Sequence, residues 1–159
     1  MGVDGDLYNV VLVLHILASI IGFGGMFIAG FYGNESRTLP GREGLAVAQT
    51  TLKVTGQIPT VAVCAVPILG ILLILMSEDA IKFSAMWISL SFLLYIVLMG
   101  LATGIQVPTI RKMVAMRAGA EGAQSGQVQA MGRKVATVGA IVNVLWVLIL
   151  ILMVFKPGQ

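Results

Sequence analysis

His15 is the only histidine in a chain of 159 residues, and it lies inside a long apolar run. Its imidazole is the one side chain there that changes charge near neutral pH. A neutral imidazole can ligate haem iron or a metal through one ring nitrogen. Ionisable groups are costly inside a bilayer and mark functional positions by default. The structural use of the same ring is a hydrogen bond across a helix bundle, for which Ser91 and Tyr95 are the expected partners. A second imidazole is missing, so bis-His haem would need a dimer or another chain. Met26, Met99 and Cys64 could act as soft ligands, although methionine in an apolar bundle usually fills space.

Beyond His15 the inventory for chemistry is thin. All seventeen Lys, Arg, Asp and Glu residues fall outside the apolar runs, so no proton or ion relay is expected within them. Ser-His-Asp sets, phosphate loops and zinc-binding runs are absent from the sequence, and the glycines of GFGG sit in an apolar helix. A single Cys excludes an internal disulfide and any multi-cysteine cluster within one chain. No catalytic residue, no metal site and no resident cofactor are expected, with haem on His15 as the alternative.

The elements that must position these groups follow from composition. Apolar residues make up 58% and charged residues 11%, and the mean hydropathy is +0.98. A soluble domain carries about a quarter charged residues, and one of this size has no interior for so many apolar side chains. Disorder fails on the same figures. Four runs are expected to be helical spans: Leu7–Tyr32, Val54–Met76, Phe83–Val107 and Val135–Phe155. Each meets the roughly 20 residues needed to cross hydrocarbon as helix, the form that satisfies every backbone group in lipid. The first run is read as a span rather than a cleavable signal, since Asp4 and Asp6 precede it where a signal carries basic residues.

Charge sets the orientation. Residues 33–53 and 108–134 together hold eight of the ten basic residues, while Lys82 and Lys156 stand on the other side. The positive-inside rule then puts both termini on the non-cytoplasmic side. GREGLAVAQTTLKV is expected to extend the second span into the cytoplasm, and IRKMVAMRA to continue the third past Pro108. The short hairpin between the second and third spans makes them antiparallel neighbours. Trp87 and Tyr8 are expected as outer interface anchors and Tyr32 as an inner one. The excess of basic residues speaks to topology and anionic lipid, not to nucleic acid.

Helical periodicity sorts the faces. In the first span His15, Ala18, Ser19, Gly22, Met26 and Gly30 share one direction, and Val10, Val13, Leu17 and Ile20 share the other. Small residues let helix backbones approach, while bulky aliphatics face lipid. In the second span Gln57, Thr60, Cys64, Pro67 and Ile71 form the stripe expected inside, with a kink at the prolines. The third offers Ser84, Ser91, Tyr95, Met99, Ala102 and Gln106; the fourth offers Gly139, Asn143, Trp146 and Leu150. Asn143, one turn from Trp146, is expected to help satisfy the indole N–H. One four-helix bundle forming a single membrane domain over residues 1–159 buries all four stripes.

The segment LHILASIIGFGGMF, followed by a Trp-bearing third span (MWISLSFLLY) that leads into PTIRKM, resembles a family of small bacterial four-helix integral membrane proteins without established function. More distantly, a His early in the first helix followed by paired glycines is similar to the copper-resistance D-type membrane proteins and the haem-dependent protoporphyrinogen oxidases. In those relatives the His is a proposed metal or haem ligand, which the resemblance maps onto His15. Gly22 stands seven residues after this His, where they carry an aromatic residue, and no span contains the lysine associated with the oxidase. The resemblance implies a multi-pass protein of the bacterial cytoplasmic membrane.

The function expected from these residues is that of a non-catalytic accessory or stabilising subunit, whose partners are the lipid bilayer and other membrane subunits. A haem- or metal-binding redox protein centred on His15 is the alternative, and a transporter of small molecules or lipid a second one.

Overall fold

The computed structural model describes residues 3, 5–39, 41–54, 57–78, 80–118 and 126–158; within them, side chains at 28–31, 34, 36, 37, 41, 54 and 57–59 are not described. The described residues form helices and connecting turns: α1 (Asp6–Thr38), α2 (Gly41–Val54), α3 (Gln57–Met76), α4 (Met86–Leu101), α5 (Val107–Ala118) and α6 (Gly126–Phe155). A π-helical turn, Ala102–Gln106, joins α4 to α5 without a break. Pro108 explains its position. Proline cannot donate, and its ring would press on the carbonyl four residues back, at Gly104, so the wider turn relieves a continuous helix.

Three helical stretches are long and apolar enough to cross a membrane: Asp6–Phe27, Met86–Ala118 and Gly126–Phe155. A shorter apolar stretch, Thr60–Met76, lies within α3. The helices begin or end beyond the expected spans in places. Helix α1 runs on to Thr38, α6 starts at Gly126, and α4 starts at Met86 instead of Phe83. Segment 41–54 is helical and amphipathic by sequence. Gly44, Ala48 and Thr51 are buried on one side, and Arg42, Glu43, Gln49 and Lys53 are exposed on the other. Glu43 in its first turn and Lys53 in its last complement the helix dipole.

The packing order is α3–α1–α6–α4. Helix α1 lies along α3 and also touches α2 and α6, while α4 packs on α6. The hairpin 77–85 joins α3 to α4; among the described residues their backbones approach less closely than those of α1 and α3 or of α4 and α6, and side chains from both meet in the central cluster. Val63 and Leu98, both 0% exposed, sit at the centre with Phe23, Ala102, Val138 and Val142. Tyr8, Val11 and Leu73 close the end where α1 begins and α3 finishes. Ala48, Met113 and Val128 close the other end, where α2 and α5 fold over the start of α6.

The start of α1 and the close of α6 therefore share one end of the bundle, and most of the described basic residues share the other. Lys156 confirms the pairing of ends. Its Nζ stands 5.8 Å from the centre of the Trp87 ring, bringing the close of α6 against the start of α4. Trp87 and Tyr8 occupy the expected end of the bundle, but they are buried at 5% and 7% exposure instead of facing lipid; Tyr32 is exposed.

Candidate functional site

Pro67 organises the polar centre of the bundle. In a regular helix the amide of residue 67 would donate to the carbonyl of Val63; proline has no such hydrogen. The Tyr95 hydroxyl, from α4, donates to that carbonyl at 3.0 Å. One turn along, His15 Nδ1, from α1, donates to the Val66 carbonyl at 3.0 Å. Two helices thus reach the backbone of α3 at its proline, where water cannot serve.

His15 fits there because α3 carries glycine opposite it. A Cβ built on Gly70 would stand 3.3 Å from His15 Cε1, so the ring lies close against the bare backbone. A carbonyl oxygen only accepts, so the proton of this bond sits on Nδ1, and in the neutral ring Nε2 is then the unprotonated nitrogen. The sequence pointed to Ser91 or Tyr95 as the partner of His15. Both hydroxyls are used elsewhere: Ser91 donates to the Trp87 carbonyl at 2.6 Å and Tyr95 to Val63. A serine one turn past a carbonyl on its own helix reaches it more readily than a ring across the bundle.

The small-residue seam of α1 closes on the same residue of α3. A Cβ on Gly22 would lie 2.5 Å from Val63 Cγ2 and 2.9 Å from the Val63 nitrogen, so only glycine permits this approach. Ala18, half-buried, packs at the edge of the central cluster. Gly30 lies outside the residues whose side chains are described. Ser19 donates back to the His15 carbonyl at 2.8 Å.

On α6, Trp146 packs its ring against Phe23 of α1 with centroids 5.7 Å apart and a 32° tilt. Asn143 is half-buried, and among the described residues no hydrogen bond links it to Trp146. The face of α6 that enters the core is Val135, Val138, Gly139, Val142 and Ile149, with Asn143 and Trp146 at its border and Leu150 exposed.

Helix α3 is rotated from its expected setting. Thr60, Cys64 and Ile71 are exposed, and Val63, Val66 and Leu73 are buried. In lipid there is no penalty for turning a weakly polar stripe outward when the alternative stripe packs more tightly, and Val63 against Gly22 is the tighter contact. Cys64 therefore stands apart from Met26 and Met99, which both face the space beside the π-turn.

Two residues of consequence lie outside the stripes that the sequence patterns pick out. Ser77, 1% exposed, caps α3 by donating to the Ile74 carbonyl at 2.8 Å and accepting the Ile81 amide at 3.0 Å. Glu78, at φ 49°, then turns the chain in the left-handed region. The serine–acid pair after an apolar run is the signal that marks such a cap. Val63 reads as an ordinary apolar residue until Pro67, four positions on, identifies its carbonyl as an orphan.

Long apolar helices whose polar side chains are spent on backbone carbonyls define an integral membrane protein. The chain belongs to the family described as "Predicted integral membrane protein (DUF2269)", whose model matches residues 9–157. The family is one of unknown function. No curated protein and no solved structure matches the chain, and the likeness to copper-resistance D-type proteins and protoporphyrinogen oxidases finds no support in these comparisons.

Proposed function

We propose that this protein is a non-catalytic accessory or stabilising subunit of a larger membrane complex. It would be a four-span bundle in the bacterial cytoplasmic membrane with both termini on the non-cytoplasmic side. The observation that carries this reading is where the polar groups go. His15, Ser19, Ser91, Tyr95, Thr103 and Thr109 each donate to a backbone carbonyl of the bundle itself. Groups used in this way hold helices in place and leave little for a substrate.

The outer surface supports the same reading. Val10, Val13, Ile20, Val61, Ile68 and Ile96 are exposed aliphatics. An open groove between α1 and α3, lined by Leu14, Leu17, Ile21, Val61 and Leu69, offers packing without a polar group. Helix α3, with 20 residues, spans about 30 Å at 1.5 Å per residue, which suits a fourth crossing.

Gentle solubilisation followed by native electrophoresis tests the proposal. The expected result is a particle well above the 16.8 kDa of one chain that contains other subunits. Recovery of free monomer alone at high yield overturns it.

A second reading, haem or metal on His15, is favoured by one observation. Ligating histidines commonly donate their other ring nitrogen to a backbone carbonyl, as His15 Nδ1 does to Val66. Among the described residues no group of three or more His, Cys, Asp or Glu side chains gathers around it, so this chain contributes one nitrogen. A Soret band in protein purified with iron available, lost in His15→Leu, would establish this reading over the first.

A further inference from the structure

Gln106 departs from the pattern in which the hydroxyls of the bundle bond to the backbone. It ends the π-turn and is 8% exposed. Among the described residues its side-chain amide makes no hydrogen bond, while the hydroxyls around it do. A Cβ on Gly139 of α6 would lie 3.1 Å from Gln106 Nε2, so one flank of the amide is pressed against bare helix backbone. The amide also lines a cavity bounded by Met26 of α1, Thr60 of α3, and Met99 and Thr103 beside the π-turn. Thr60 and Thr103, both exposed, are part of its lining.

We propose that this cavity is a hydration site, in which ordered water supplies the hydrogen bonds that the Gln106 amide lacks. Size decides the class of ligand. The cavity measures about 30 Å³, and a water needs roughly 10–15 Å³ in the same measure, so about two waters fit and an organic group does not. Chemistry agrees with size. The lining carries an amide, hydroxyls and thioethers but no carboxylate, so a dehydrated cation would enter without a compensating charge. A water needs two to four polar partners. The Gln106 amide offers donors and an acceptor, and the Thr103 hydroxyl, which gives its hydrogen to the Met99 carbonyl at 2.6 Å, keeps lone pairs to accept. Leaving a buried amide unpaired costs more than ordering a water beside it. The π-turn sets Gln106 where a regular helical turn would carry the preceding residue, since the Val107 amide reaches back five residues to the Ala102 carbonyl. This site is independent of the accessory-subunit reading.

Radiolytic hydroxyl-radical labelling of the full chain in proteoliposomes tests the site, because radicals formed from bound water oxidise the nearest methionine sulfurs. Met26 and Met99 should be oxidised in the parent protein and several-fold less in Gln106→Met, with the exposed Met86 as the dose reference in both. Unlabelled Met26 and Met99 in the parent, or equal labelling in the variant, overturns the proposal. Should Gln106→Met fail to assemble, water-edited solid-state NMR of the parent decides alone. Fast magnetisation transfer from water to the Gln106 side-chain amide supports the site, and no transfer removes it.

Discussion

The Tyr95 hydroxyl donates to the Val63 carbonyl at 3.0 Å, the oxygen that Pro67 leaves without its helical amide. Val63 is 0% exposed, so no solvent could take that role. A proline in one helix and a tyrosine in another are thus halves of one device. Tyr95→Phe should lower stability by about 0.5–2 kcal/mol on the scale of intramembrane hydrogen bonds. Restoring the amide with Pro67→Ala should make the same tyrosine substitution cheaper. Thermal melts of the four proteins in one detergent give the coupling, and an additive pair of effects would show that Tyr95 does not serve the orphan carbonyl.

Glycines of α1 should separate sharply on substitution. A Cβ at Gly22 meets the Val63 backbone at 2.9 Å, whereas at Gly24 it meets nothing within 4 Å. Gly22→Ala forces α1 from α3 and should cost about 1–3 kcal/mol, the usual range for overpacking. Gly24→Ala should be neutral or slightly stabilising, since alanine is the better helix former. Equal melting temperatures for the two variants would be incompatible with the close approach of α1 and α3.

His15 is held by a bond that an amide could replace in part. Gln or Asn at this position retains a donor for the Val66 carbonyl, so the bundle should stay assembled. His15→Leu removes the donor and should cost about 0.5–2 kcal/mol. Size-exclusion profiles and melting curves of the three variants check the order; Leu as well tolerated as Gln would assign the Val66 bond no structural weight.

Topology is open to labelling with single cysteines in a Cys64→Ser background. Ser84 and Arg111 are exposed at opposite ends of the bundle, and they suit the purpose better than Ser77, whose hydroxyl is buried in the α3 cap. An impermeant thiol reagent added to intact cells should reach Ser84→Cys and not Arg111→Cys. The reverse pattern would invert the proposed orientation.

The helical membrane class, the places of the apolar runs and the clustering of basic residues were legible in the residues alone. Each is a local or compositional property, since hydrocarbon demands long runs without charge whatever the neighbours are. The inner face of α1 was legible for the same reason: Gly22 and Ala18 lie opposite Val10, Val13 and Ile20, and a narrow stripe of small residues has one sensible direction. Only the tertiary structure decided the setting of α3, because its candidate stripes differ little in polarity and the choice fell to the fit of Val63 against Gly22. It also decided that His15 bonds to a carbonyl. Backbone acceptors are identical at every residue, and which one lies within reach depends on helix registry and on the glycine at 70. The orphan created by Pro67 stood in the sequence from the outset, but the tyrosine that satisfies it lies 32 positions past Val63 on another helix, and only packing brings them together.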